Sequence, residues 1–150
     1  MRPQSRLALA IASASVTNGA TATATAIDTS PPGSVGRARH LTINIVATTA
    51  DVVSNKPGTL KLQHSDTTDA TNYSDISGLV GGTDFTVPNA DTSNPNMYSF
   101  NVNLQGKKRY IKAAYSPKTT QTVFGVANLH WMDQLPVTAA KANVLALIEG

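Results

Sequence analysis

The chain has no cysteine, an absence that excludes disulfide frameworks, zinc–thiolate sites and cysteine nucleophiles together. It has little glutamate either, since Glu149 stands alone beside eight aspartates. Charged residues make up 14%, against roughly 25% in typical soluble proteins. Their place is taken by Ala, Thr, Ser and Asn, as suits a surface that lies against other protein. Aromatic residues amount to 5%. The flat ring platforms on which sugars stack would have to come from Trp131 and four tyrosines. No run approaches the roughly 18 to 20 consecutive apolar residues of a membrane-spanning helix.

What is present is enough for one domain. The 150 residues are 41% hydrophobic, which favours a buried core over disorder. The net charge of +3 is mild, and the one basic cluster is Lys107, Lys108 and Arg109. A dedicated nucleic-acid binder needs a longer cationic stripe, because its affinity grows with the phosphates neutralised. Nucleic acid is therefore not the expected partner.

The first residues imitate a signal peptide, with Arg2 and Arg6 ahead of the short apolar run 7–11. Ser13 and Ser15 dilute that run at once, which argues against one. Residues 20–26 alternate Ala and Thr, a low-complexity stretch with little burial energy. The preferred reading is an extended arm over residues 1–39 that lies on a neighbouring subunit. A first strand at a sheet edge fits the alternation equally well. On the arm reading, deleting residues 1–29 leaves a folded domain.

Residues 40–136 alternate as strands do. Leu41, Ile43 and Ile45 share one face, as do Leu60 and Leu62, and Tyr98, Phe100, Val102 and Leu104. Shorter strands are expected at 73–76 and 84–87, and stronger ones at 109–115 and 122–131. Lys107, Lys108 and Arg109 then fall at a hairpin tip. Seven or eight short strands between turns predict an all-β antiparallel sandwich, jelly-roll-like in its order. Residues 137–150 change character. Thr138 caps a short helix there that gathers Val144, Leu145, Leu147 and Ile148, or the segment is a second arm.

No constellation for catalysis emerges. Residues 64–66 (His-Ser-Asp) are neighbours on a strand and point to opposite faces, whereas a triad converges in space. Asp66, Asp69 and Asp75 share a polar loop, but an EF-hand frame with its central glycine and closing glutamate is missing. Such residues more often bond to their own backbone in turns. The glycines at 78, 81 and 82 lack the Lys-Ser or Lys-Thr of a phosphate loop. No cofactor, metal or enzymatic activity is expected.

Residues 60–66 (LKLQHSD), 73–78 (YSDISG), 108–112 (KRYIK) and 123–129 (VFGVANL), ending near Pro136, resemble in their order the small β-sandwich head proteins of tailed bacteriophages. These are the cement, or decoration, proteins that bind the outside of the capsid shell. The resemblance covers residues 40–136. It implies a virion protein at the capsid surface, a major capsid protein as partner, and a homo-oligomer, either dimer or trimer, with no membrane association. The alternatives are a phage tail or carbohydrate-binding sandwich, or a jelly-roll shell subunit. Contacts are expected from Arg2, Arg6, Leu7, Ile11, Thr21 and Thr23, from Lys107, Lys108 and Arg109, from Trp131, and from Leu145 and Ile148.

Overall fold

The computed structural model describes residues 5–34, 36–48, 56–90, 96–131 and 146–150. Its strands are β1 (Ser5–Val16), β2 (Ile27–Asp28), β3 (His40–Ala47), β4 (Thr59–Ser65), β5 (Ser74–Val80), β6 (Asn96–Asn103), β7 (Tyr110–Ser116), β8 (Gln121–His130) and β9 (Ala146–Glu149). They form two sheets, ordered β1-β8-β3-β6-β9 and β2-β7-β4-β5. The inward rows of the two sheets meet in one apolar core, a β-sandwich.

The antiparallel pairs β1–β8, β2–β7, β3–β6 and β4–β5 are nested. The chain is thus one long ribbon that doubles back between β4 and β5 and then rolls up. Successive pairs fall alternately in the two sheets, which is the jelly-roll order. β9 is the exception, adding to β6 in parallel.

Period-two patterning places the core. Ile43 lies opposite both Phe100 and Ala127 in adjacent strands, and all three are buried. Leu60 and Leu62 of β4 and Ile111, Ala113 and Tyr115 of β7 face them from the other sheet. In β5 the buried residues Ile76 and Leu79 are three apart, because the strand bulges against β4. Gly78 takes a φ of 87° at that bulge, a conformation glycine adopts without steric cost.

The structure corrects several expectations. Residues 5–16 form the edge strand of the larger sheet, the second of the two readings of the N-terminal region, and take the place of the preferred arm. Their alternation was disguised by two register shifts, between Leu9 and Ile11 and between Ile11 and Ala14. These shifts turn both Ala10 and Ile11 into the core. Leu147 and Ile148 lie in β9, with Ile148 in the core, so their helical spacing is incidental. The rest of the expected helix, residues 138–145, lies outside the described residues. Residues 84–87 form no strand, only an isolated bridge from Phe85 to Gly81. Finally, the turn at residues 104–109 joins β6 to β7 in the opposite sheet, so it is a crossover and not a hairpin tip.

Candidate interaction surfaces

The two outward faces of the sandwich differ in kind. On the four-stranded sheet, the Lys61 ammonium and the Gln63 amide both donate to the Asp75 carboxylate, at 2.9 and 2.8 Å. Those bonds hold the Asp75 carboxyl below its ordinary range, Lys61 contributing most. Lys112 sits 5.4 Å from the centre of the Tyr73 ring, and Arg109 lies 5.2 Å from that of Tyr110. Arg109 also grips Asp28 with two bonds, at 2.9 and 2.8 Å. Charges on this face are answered by neighbours in the same chain and face water.

The five-stranded sheet is different. Its outward positions carry Ser5, Leu7, Leu9 and Ser15 of β1, Thr122, Phe124, Val126, Asn128 and His130 of β8, His40, Thr42, Asn44 and Val46 of β3, Met97, Ser99, Asn101 and Asn103 of β6, and Leu147 and Glu149 of β9. Glu149 is the only Asp, Glu, Lys or Arg among them. The middle is a polar ladder in which the Ser99 hydroxyl donates to Asn44 Oδ1 at 2.7 Å and the Thr42 hydroxyl to Asn101 Oδ1 at 3.1 Å; Thr42, Ser99 and Asn101 are themselves buried, so this part of the row is not solvent-facing. Toward β1 the face becomes apolar, with Leu7 70%, Leu9 51% and Phe124 41% exposed, the large hydrophobic side chains left in solvent among the described residues. Leu9 pairs in register with Val126, so the patch is continuous across the two strands. Contiguous exposed apolar surface of this sort marks an interaction site more often than scattered single residues do.

Among the described residues the edge of β1 is open at the same place. Over the bulges it is covered, since Ala12 N–H donates to Thr23 O at 3.3 Å and Thr25 N–H to Ala10 O at 2.8 Å. Over residues 5–9 no described strand lies on the outer side. An unpaired edge of this kind can accept a further strand.

A second surface lies at one end of the sandwich, where residues 29–39 approach residues 104–109. Arg37 donates from Nε to Thr29 Oγ1 at 3.0 Å and from Nη2 to Lys108 O at 2.6 Å. Lys108 N–H donates to His64 Nδ1 at 3.2 Å. An open groove of about 530 Å³ is left there, lined by Arg37, Arg39 and His40 on one side and Asn103, Gln105 and Gly106 on the other.

The residues expected to make contacts are dispersed by this geometry. Leu7 and Arg6 are exposed on β1 on alternate sides, and Thr21 and Thr23 are exposed beyond it. Ile11 and Ile148 are core residues, 0% and 6% exposed, so neither reaches a partner of the folded chain. Lys107 and Lys108 are half-buried, and Arg109 is engaged by Asp28. Trp131 packs against the core and donates its indole N–H to Gly36 O at 3.1 Å. Arg2 and Leu145 lie outside the described residues. Sequence reasoning missed Leu9, Phe124 and the groove arginines. Phe124 was legible in principle, because Val123, Gly125, Ala127 and Leu129 alternate with it.

The polar loop is occupied with its own geometry. The Asp69 carboxylate accepts from Thr71 N–H at 2.9 Å and Thr71 Oγ1 at 2.8 Å, capping the single turn of 3-10 helix Ala70–Asn72. Among the described residues no three His, Asp or Glu side chains converge as a metal site, and no helix is long and apolar enough to cross a membrane. No family model, curated protein or solved structure matches this chain.

Proposed function

We propose that this chain is a non-enzymatic structural protein of a virus particle, a cement protein that binds the outer capsid surface and bridges neighbouring shell subunits. The observation that carries this reading is the contrast between the two outward faces. One has its charges matched internally, while the other, buried over Thr42, Ser99 and Asn101, exposes an apolar patch of Leu7, Leu9 and Phe124 at its β1–β8 end. Such a patch suits contact with protein. The viral assignment rests on the resemblance of residues 40–136 and on the recurrence of jelly rolls in capsid proteins, a fold-level analogy.

The mechanism is mass action. A protein that binds the assembled shell and not its separated subunits stabilises the assembly by its binding free energy. The apolar patch of Leu7, Leu9 and Phe124 would lie on the major capsid protein, and the edge of β1 over residues 5–9 would pair with a strand of that protein or of a sister copy in a dimer or trimer. The strand order also favours a second reading, in which the chain is itself a jelly-roll shell subunit.

Electron microscopy of a particle containing the chain separates the two. The cement reading expects it outside a continuous shell made of another protein, with the face of Leu7 and Phe124 turned inward. Variants Leu7→Lys and Phe124→Lys should fold normally and fail to co-sediment with particles. A shell built of this chain alone, or undiminished binding by both variants, would overturn the proposal.

A further inference from the structure

The open stretch of β1 fits one occupant in particular, a second copy of itself. We infer that residues 5–9 of two chains pair antiparallel about a two-fold axis at Leu7, joining two five-stranded sheets into one. The inference rests on the reading of this edge as a contact site, and it decides between the two strands proposed for it.

The sheet edges are not alike. β2 has two residues, too few to template a partner. β5 is bulged at Gly78 and carries Asp75. β9 has four residues and ends in exposed Glu149. Short length, bulges and charge are the ordinary means by which an edge is kept from pairing. Beyond Leu9 the edge of β1 is shielded as well, since Ala10 O and Ala12 N–H are bonded to Thr25 and Thr23. Residues 5–9 differ. They follow β8 without a register shift, and their one charge, Arg6, lies on the opposite side from Leu7 and Leu9. Ser5, Arg6, Leu7 and Leu9 are all exposed, so both faces of the stretch meet solvent.

Symmetry then fixes the register. In an antiparallel pair, residues directly opposite point to the same face, so a two-fold normal to the sheet passes through a residue that faces its own copy. Centred on Leu7, the pairing sets Leu7 against Leu7, Ser5 against Leu9 and Arg6 against Ala8, and it engages the whole of 5–9. Centred on Arg6, it would set two guanidinium groups side by side, a repulsive cross-strand pair. Centred on Ala8, it would run into Ala10, whose carbonyl is already bonded. Parallel pairing serves no better, because a two-fold along the strands turns one copy over and carries its leucines to the far face.

Across the axis, leucine meets leucine at the roughly 4.5–5.5 Å Cβ separation of directly opposed residues. The outward peptide groups of both edges find partners in the same step. Leu7 and Leu9 of both copies fall on one face of the joined sheet, with Phe124 on the next strand. Pairing thus doubles the apolar patch that the cement reading lays on the capsid. The contact is isologous and closes on itself, so it stops at two copies.

The chain has no cysteine, so single introduced cysteines read the register cleanly. In the full chain, Leu7→Cys places its thiol opposite its own copy. Directly opposed Cα atoms lie roughly 4.5–5.5 Å apart, within the reach of a disulfide. Under mild oxidation Leu7→Cys should run as a covalent dimer on a non-reducing gel. Ser5→Cys and Leu9→Cys should each stay unlinked alone and link to one another when mixed. Sedimentation of the unaltered chain should show a monomer–dimer equilibrium, shifted to monomer by Leu7→Lys. All three positions are exposed in the single chain, so these variants keep the fold. Linking of Ser5→Cys as readily as Leu7→Cys would overturn the inference, as would a chain that stays monomeric throughout or assembles as a trimer. Phe124 is off the pairing edge, so Phe124→Lys should keep the dimer while losing the particle. A dimer that never binds particles would overturn the cement reading alone, and a monomer that binds them would overturn only this pairing.

Discussion

His130 and His64 show how single side chains set the conditions under which this fold is stable. His130 is 3% exposed beside Thr42, with Nε2 3.4 Å from the Thr42 hydroxyl. Burial first, and the charge of His40 second, hold its pKa below the ordinary 6.5. His64 is lowered by burial and then by Lys108 and Lys107. Both imidazoles are thus favoured neutral in the folded chain. As pH falls through 6.5 the unfolded chain takes up protons first, so stability declines from that point down to the folded-state values. Asp28 and Asp75, lowered chiefly by bonds from Arg109 and Lys61, give a separate loss that begins below their ordinary 3.8. Melting temperatures should therefore fall as pH drops below 6.5 and fall again under strong acid. In a His64→Gln, His130→Gln double variant the first decline should vanish and the second remain. A melting temperature that rises on mild acidification would contradict this assignment.

Among the elements, β1 decides whether the N-terminal region is an arm or a wall. Ala10, Ile11 and Val16 are in the core, and Gly125 of β8 is held so close to Ile11 that an added Cβ would sit 3.2 Å from the Ile11 backbone. Deleting residues 1–29 would therefore open the core and expose the edge of β8. Loss of buried Ile11 alone is worth about 2–5 kcal/mol by analogy with Ile→Ala changes, a large share of typical domain stability. The truncated chain should lose its cooperative thermal transition in circular dichroism, and a sharp transition at the full-length temperature would refute it. The central strands were legible in sequence because their rows alternate without interruption, as at Leu41, Ile43 and Ile45. β1 was not, since its bulges break the alternation and its Ala and Ser residues carry little pattern. β9 was hidden by four residues whose apolar spacing serves a helix as well as a parallel strand. For the surfaces, the alternation in β8 carried the outward position of Phe124. The groove had no sequence signal, because Arg37 and Gln105 meet only through the rolling of the ribbon.

At the scale of the whole molecule, that rolling predicts the order of folding. β4 and β5 are separated by a short loop, with His64 opposite Ser74, whereas Ser5 of β1 pairs with His130 near the far end of β8. Closing the longer loop costs more chain entropy, and in a nested arrangement each inner pair shortens the loop left for the next. The inner ribbon should therefore organise first and the pairing of β1 with β8 last. Ile76 of β5 and Ile11 of β1 are both fully buried and serve as matched probes. Ile76→Val and Ile11→Val each remove one methylene, at about 1 kcal/mol, or about a fivefold change in the equilibrium constant. For Ile76→Val most of that change should appear as slower folding, and for Ile11→Val as faster unfolding with the folding rate nearly kept. Stopped-flow chevrons of the two variants read this directly. If Ile11→Val slowed folding more than Ile76→Val, the ribbon would be closing from its ends, and β1 would belong to the folding nucleus.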